Sequence, residues 1–202
     1  MKIILTGFMG AGKSVTGKIL ARQLNLKFID TDHLIEEKAG RSIKEIFHLQ
    51  GEPFFRSLEK KVVAAVARKD GVVIAVGGGA ILDPGNRRNL KKNGTVIFLM
   101  VSPDWVRKRV AGDASRPLLN TSKNVGEGLY PLPKEKTIKN LLSRRMPLYR
   151  KADICVDTDN KTPGVVAQEI ITRINDVVAS PPEADAAIPS LPRDRHAGQR
   201  SR

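Results

Sequence analysis

The chain has 202 residues, 41% apolar and 28% charged, with a formal net charge of +14 and one cysteine. That length suits one sizeable core and little more, and the composition excludes a disordered or collagen-like chain, an internal disulfide framework and any run near the roughly eighteen apolar residues of a membrane span. The positive charge raises nucleic-acid binding as a reading, but the bases are scattered, only 4% of the chain is aromatic and no nucleic-acid-binding motif occurs, so anionic small substrates and no nucleic-acid partner are expected.

Residues 1–6 form an apolar run read as a strand. Gly7-Phe8-Met9-Gly10-Ala11-Gly12-Lys13-Ser14 follows and fits G-x-x-x-x-G-K-[ST], the P-loop pattern. Residues 14–24 carry apolar side chains at helical spacing, so the strand–loop–helix context is complete. Glycines let the backbone form a cup of N–H groups for phosphate oxygens, and the helix turns its positive end to the same place. In this motif Lys13 reaches the β- and γ-phosphates and Ser14 ligates Mg²⁺. No cleavable leader is expected, because cleavage would carry the motif away. Cys155 fits a reducing cytoplasm and burial as a small hydrophobe.

Residues 26–29 read as a second strand ending in Asp30-Thr31-Asp32. Alternate strand residues share a face, so the two acids are expected to converge. Asp32 also precedes a helical pattern at 33–39, so an N-cap is the competing reading; a P-loop's need for carboxylates near hydrated Mg²⁺ favours a site. Gly40 stops that helix, and Ser42-Ile43-Lys44-Glu45 is a capping box that starts another. Gly51-Glu52-Pro53 breaks it, and a further helix spans 54–69. Arg56 in its first turn opposes the helix dipole, so it either reaches water or faces an anion.

Residues 72–76 form a continuous apolar run, typical of a buried parallel strand, which ends at Gly77-Gly78-Gly79. Three glycines at a strand's carboxyl end point to close backbone approach to a ligand. Asp83-Pro84 caps a helix to about residue 92, 95–101 is the fourth strand, and Ser102-Pro103 opens a helix to about 110. Residues 112–136 lose all periodicity and read as a lid carrying Arg116. A helix at 137–146 holds Arg144 and Arg145 before Pro147. The fifth strand is 154–156, and Thr162-Pro163 caps the last helix, 164–178. Residues 180–202 read as a disordered tail outside a single domain of residues 1–179.

Strands alternating with helices predict an α/β fold with a mostly parallel sheet. The P-loop, Asp30-x-Asp32, Arg56, Gly77-Gly78-Gly79, Arg116-Pro117-Leu118-Leu119 and Arg145-x-Pro147-Leu148-Tyr149 together resemble the shikimate kinase family over about residues 1–174. The resemblance implies a three-layer P-loop fold with five parallel strands and a lid, and ATP-dependent phosphorylation of the 3-hydroxyl of shikimate. By similarity Gly10, Ala11, Gly12, Lys13, Ser14 and Val15 wrap the ATP phosphates, with Arg116 closing over the nucleotide and Lys161 against the adenine. Ser14 and Asp30 would hold Mg²⁺. Asp32 would accept the proton and, with Arg56, Gly78 and Arg145, bind shikimate. Lys13, Asp32 and Arg116 form the implied catalytic set. The partners implied are ATP and shikimate, with no membrane and a monomer expected. The chain departs from the family in a longer stretch between Arg116 and Arg145, and in Ala75 and Val76, which offer no hydroxyl near the metal. Alternatives are another small-metabolite kinase of this fold, such as a gluconate kinase, or a nucleotide-binding module without turnover.

Overall fold

The computed structural model describes residues 1–111 and 135–179. Five strands, β1 (Lys2–Gly7), β2 (Lys27–Asp30), β3 (Val72–Ala75), β4 (Thr95–Met100) and β5 (Ile154–Asp157), make one sheet in the order β2-β3-β1-β4-β5. Every pairing is parallel, with Ile3 opposite Val73 and Leu5 opposite Ile97. The connecting helices are α1 (Lys13–Gln23), α2 (Thr31–Ala39), α3 (Ile43–Val66), α4 (Pro84–Lys91), α5 (Pro103–Ala111), α6 (Glu135–Tyr149) and α7 (Pro163–Ala179).

The layers follow from the two-residue period of the strands. Ile3, Leu5, Val73, Ile97 and Leu99 join the core that α1 and α7 cover, while Ile4, Val72, Ile74 and Val76 join the core beneath α2, α3 and α4. Both faces of the central strands are therefore apolar, which is why β3 reads as an unbroken hydrophobic run. The crossover from β3 to β4 passes over β1, and because every pairing is parallel the carboxyl ends of β1, β2 and β3 lie along one edge of the sheet, where open parallel sheets bind ligands.

Two local readings hold and two change. The break read at Gly51-Glu52-Pro53 is present: Gly51 takes φ 78° and ψ 171°, which is not helical, so α3 is two helical segments meeting at a kink, and Arg56 lies near the start of the second. The capping box of Ser42 and Glu45 is present as read. Pro147 lies inside α6, which runs on to Tyr149; a proline this near the end removes only one of the last helical hydrogen bonds. The N-cap of α2 is Asp30, whose side chain accepts from the Asp32 amide, so Asp32 stands in the helix's first turn. Asp30 and Asp32 are thus not alternate residues of one strand. Residues 112–134 of the expected lid and the tail lie outside the described residues, and Glu135 and Lys136, read as the end of the lid, open α6. Among the described residues no helix is long and apolar enough to cross a membrane.

Candidate active site

The loop between β1 and α1 is shaped by backbone that only glycine adopts cheaply: Gly10 has φ 76° and Gly12 φ 86°. No side chain caps α1 at Gly12, so its first amides are left for an anion at the positive end of the helix. Lys13 Nζ donates to the carbonyls of Gly7 at 3.0 Å and Phe8 at 3.2 Å, which folds the ammonium back along the loop. Ser14 Oγ donates to Asp30 Oδ2 at 2.6 Å, and Asp30 Oδ1 accepts from the Asp32 amide at 3.0 Å. One cavity of about 790 Å³ is lined by Lys13, Ser14, Asp30, Asp32, Gly78 and Arg109 among others. Asp30 and Asp32 do converge, but through a helix start.

The opposite wall is the triple glycine after β3, and each glycine admits one polar side chain. A Cβ on Gly77 would stand 2.6 Å from Asp32 Oδ1, and one on Gly79 would stand 2.7 Å from Arg56 Nη1. A Cβ on Gly78 would come within 3.7 Å of Arg145 Nη1. The Gly77 amide donates to Thr31 Oγ1 at 3.1 Å, pinning the glycines to the start of α2. Tyr149 OH donates to Gly78 O at 2.7 Å, and Arg145 Nη1 approaches the same oxygen at 3.4 Å. Arg145 also lies 5.6 Å from the centre of the Phe8 ring.

Two carboxylates face this wall at a desolvation cost. Asp32 Oδ1 is buried without a hydrogen-bond partner, and burial pushes the carboxyl up to about 6, against the pull of the Lys13 charge. Glu59 is 1% exposed; burial raises its carboxyl too, while the Arg56 hydrogen bond holds it down. Its Oε2 accepts from Arg56 Nη1 at 2.8 Å, and its Oε1 is buried without a partner. Glu52 takes the other edge of the same guanidinium at 3.0 Å and 3.1 Å. Arg56 therefore stands near a helix start without penalty because two acids on its own helix compensate it.

A smaller recess of about 210 Å³ opens beside the loop, between Gly12, Val15, Arg109, Lys161 and Pro163. Arg109 Nη1 donates to Gly10 O at 3.1 Å and Thr158 Oγ1 at 3.0 Å, and its Nη2 donates to Thr158 O, so it ties the P-loop to the turn after β5. Lys161 spends its ammonium on Glu169 at 2.7 Å and offers the recess its aliphatic stem.

A family model described as shikimate kinase matches residues 9–175. The chain belongs to the shikimate kinase family. It is 45% identical over 172 residues to the shikimate kinase of Sulfurihydrogenibium sp., covering 85% of this chain and 96% of that one. Among solved structures, the shikimate kinase from Acinetobacter baumannii in complex with shikimate aligns with a TM-score of 0.76 at 36% identity, over 87% of this chain and 93% of that one. A gluconokinase from Sinorhizobium meliloti, 14% identical with a TM-score of 0.51 over 88% of this chain and 95% of its own, shares the fold alone.

Of the residues that a shikimate kinase reading singles out, Gly10 to Val15, Asp30, Asp32, Arg56, Gly78 and Arg145 gather around the P-loop cavity and the glycine wall, and Lys161 borders the recess. Arg116 lies outside the described residues. Glu59 and Arg109 went unread in the sequence. Glu59 had a signal, since Phe55, Glu59, Val62 and Val66 form one buried stripe and a lone acid in such a stripe requires a partner. Arg109 had none, because Arg107 and Lys108 beside it look the same in sequence.

Proposed function

We infer that this enzyme transfers the γ-phosphoryl group of ATP to the 3-hydroxyl of shikimate, giving shikimate 3-phosphate and ADP. The observation that carries the reading is the convergence of Asp32, Arg145 and Arg56 on three successive glycines beside the P-loop. Arginine forks match a carboxylate in two-point geometry, so Arg56 and Arg145 would hold the acid group of the acceptor. Asp32 would then orient the acceptor hydroxyl and take its proton. A carboxyl raised to about 6 is still mostly ionised at neutral pH and is a better base than a free aspartate. Gly78 would present backbone to the same acceptor, and Glu59 acts one step back by fixing the Arg56 fork.

The nucleotide half divides similarly. The P-loop amides and Lys13 would take the β- and γ-phosphates, where charge stabilisation carries most of the catalysis. The recess bordered by Val15, Arg109, Lys161 and Pro163 would take the base, with Arg109 as its flat cationic wall. Mg²⁺ fits Ser14 and Asp30: two hard oxygens 2.6 Å apart suit an ion that keeps most of its waters. Among the described residues no group of three His, Cys, Asp or Glu could hold a metal, so no all-protein cage competes with that pair. When bound, the ion neutralises phosphate charge. Arg116, as read from sequence, would add a further positive charge over the phosphates. Residues 1–179 are assigned to the catalytic unit.

ADP release measured with shikimate, quinate and gluconate tests the assignment. Turnover is expected with shikimate, with quinate and gluconate at least about a hundredfold lower in kcat/KM, because an acceptor that misplaces its polar groups leaves buried partners unpaired. Gluconate outrunning shikimate would overturn it.

A further inference from the structure

On the sheet face away from α1 and α7, residues of α4 and the end of α6 line a further cavity of about 470 Å³. Its floor is apolar, made by Ile4, Val96, Ile81, Leu90 and Leu148. Its rim is basic: Arg87, Arg88, Lys91, Lys92 and Lys151 line it, and among the described residues no acid does. Arg87 is committed to the carbonyls of Ile81 and Leu82, and Lys91 to Asp153 at 3.1 Å. Arg88, Lys92 and Lys151 are exposed and have no carboxylate partner among the described residues. A volume of several hundred Å³, apolar walls and a few charges of one sign are the ordinary properties of a small-molecule site. Neither ATP nor the acceptor uses this cavity in the reading above.

The cavity shares a wall with the catalytic cleft. Tyr149 lines it, stacks on Phe98 at 4.8 Å between ring centres, and donates to Gly78 O at 2.7 Å on the other side. Thr6 also lines it, and the Thr6 hydroxyl is buried without a hydrogen-bond partner, which leaves a polar group for an occupant to satisfy. An occupant that shifts the Tyr149 ring moves the backbone that Arg145 approaches.

We propose that this cavity is a regulatory site for a small ring-bearing carboxylate, its ring on the apolar floor and its acid group against Arg88, Lys92 and Lys151, coupled through Tyr149 and Gly78 to acceptor binding. The coupling half of the proposal rests on the acceptor assignment above; the binding half does not. Coupling between two sites is reciprocal and commonly amounts to roughly 5- to 150-fold in affinity.

The test uses the full chain with 3-phenylpropionate as probe, 3-phenylpropionamide as its uncharged counterpart and octanoate as a carboxylate without a ring, with binding followed by calorimetry and by protein NMR shifts. The expected result is that 3-phenylpropionate binds at least tenfold more tightly than the amide or octanoate and perturbs Tyr149 and Leu90. The double variant Arg88→Glu/Lys92→Glu, both exposed and outside the catalytic machinery, should weaken binding at least tenfold while unliganded kcat stays unchanged. Ala152→Phe, which fills the cavity from its edge, should do the same by bulk rather than charge. In steady-state assays the probe should change the KM for shikimate at least threefold and leave the KM for ATP alone, and both variants should lose that effect. Equal binding of acid and amide, or binding unchanged in both variants, would overturn the site. Octanoate binding as tightly as the ring acid would overturn the ligand class. Inhibition that survives in both variants would place the probe at Arg56 and Arg145 and overturn the proposal. Binding at the cavity without any change in the KM for shikimate would overturn the coupling alone.

Discussion

The two halves of the proposed catalytic cleft are built by different means. The phosphate half is contiguous backbone: eight residues from Gly7 to Ser14 hold left-handed glycines, an uncapped helix start and a lysine laid along its own loop. The acceptor half is side chains brought from α2, α3 and α6 onto three glycines, and it stores two buried carboxylate oxygens without partners. Backbone geometry is generic to any nucleotide; selectivity and pH response must come from the side-chain half, where the unsatisfied charge is.

The difference predicts how each half breaks. Lys13→Ala should produce the largest effect, a loss of about 10³ or more in kcat with the fold retained, since charge-stabilising groups in phosphoryl transfer are worth roughly that. Rapid-quench rates and far-UV circular dichroism check it, and near-normal turnover would contradict the P-loop assignment. The same variant links the halves, because Lys13 is the charge that holds the Asp32 carboxyl down.

Asp32→Asn should cost about 10²–10⁴ in kcat, the usual worth of a positioned base, with ATP affinity little changed. Its effect on stability has the opposite sign. The Asp32 carboxyl is raised by burial, so the folded state favours the protonated form and stability falls as pH rises from about 4 through about 6. Removing the charge should therefore stabilise the unliganded protein at pH 8, by at most about 3 kcal/mol for a shift of this size, with the gain gone near pH 4. Urea melts at pH 4 and pH 8 measure it. Asp30→Asn, on the phosphate side, should instead raise the Mg²⁺ needed for half-maximal rate, and identical behaviour of the two variants would erase the division of roles.

Glu59→Gln keeps the shape and removes the charge that fixes one edge of the Arg56 fork. The KM for shikimate should rise about tenfold while the KM for ATP holds, in line with the roughly 1.5–3 kcal/mol of a hydrogen bond to a charged group. Gly79→Ala should be milder, about threefold in the same KM, because the added methyl displaces the far end of a flexible arginine that stays tethered to Glu52 and Glu59. A fall of several degrees in Tm would show instead that the methyl meets backbone.

The same contrast explains what the sequence disclosed. The P-loop, the capping box at Ser42 and the alternation of apolar strands with helices are local patterns, so short-range signals reveal them. The carboxylates at Asp30 and Asp32 were legible as residues but not as geometry: a strand alternation and a helix N-cap use the same three letters, and the cap won because Asp30 can satisfy the Asp32 amide. Pro147 looked like a helix end, yet α6 gains Tyr149 as a buried residue stacked on Phe98, and that packing outweighs one lost hydrogen bond. Arg109 stayed hidden because its hydrogen bonds go to Gly10 and Thr158, residues 99 and 49 positions away in the chain.

The acceptor half stands or falls on a carboxylate gripped by two arginines, and that is tested by comparing shikimate with its methyl ester. Initial rates of ADP release should give a kcat/KM for the ester lower by about 10⁴, as for sites whose buried polar groups are left unpaired, and Arg56→Lys should lower shikimate use at least tenfold without changing the KM for ATP. Equal turnover of ester and acid would contradict the clamp and leave the P-loop half as the part of the account that survives.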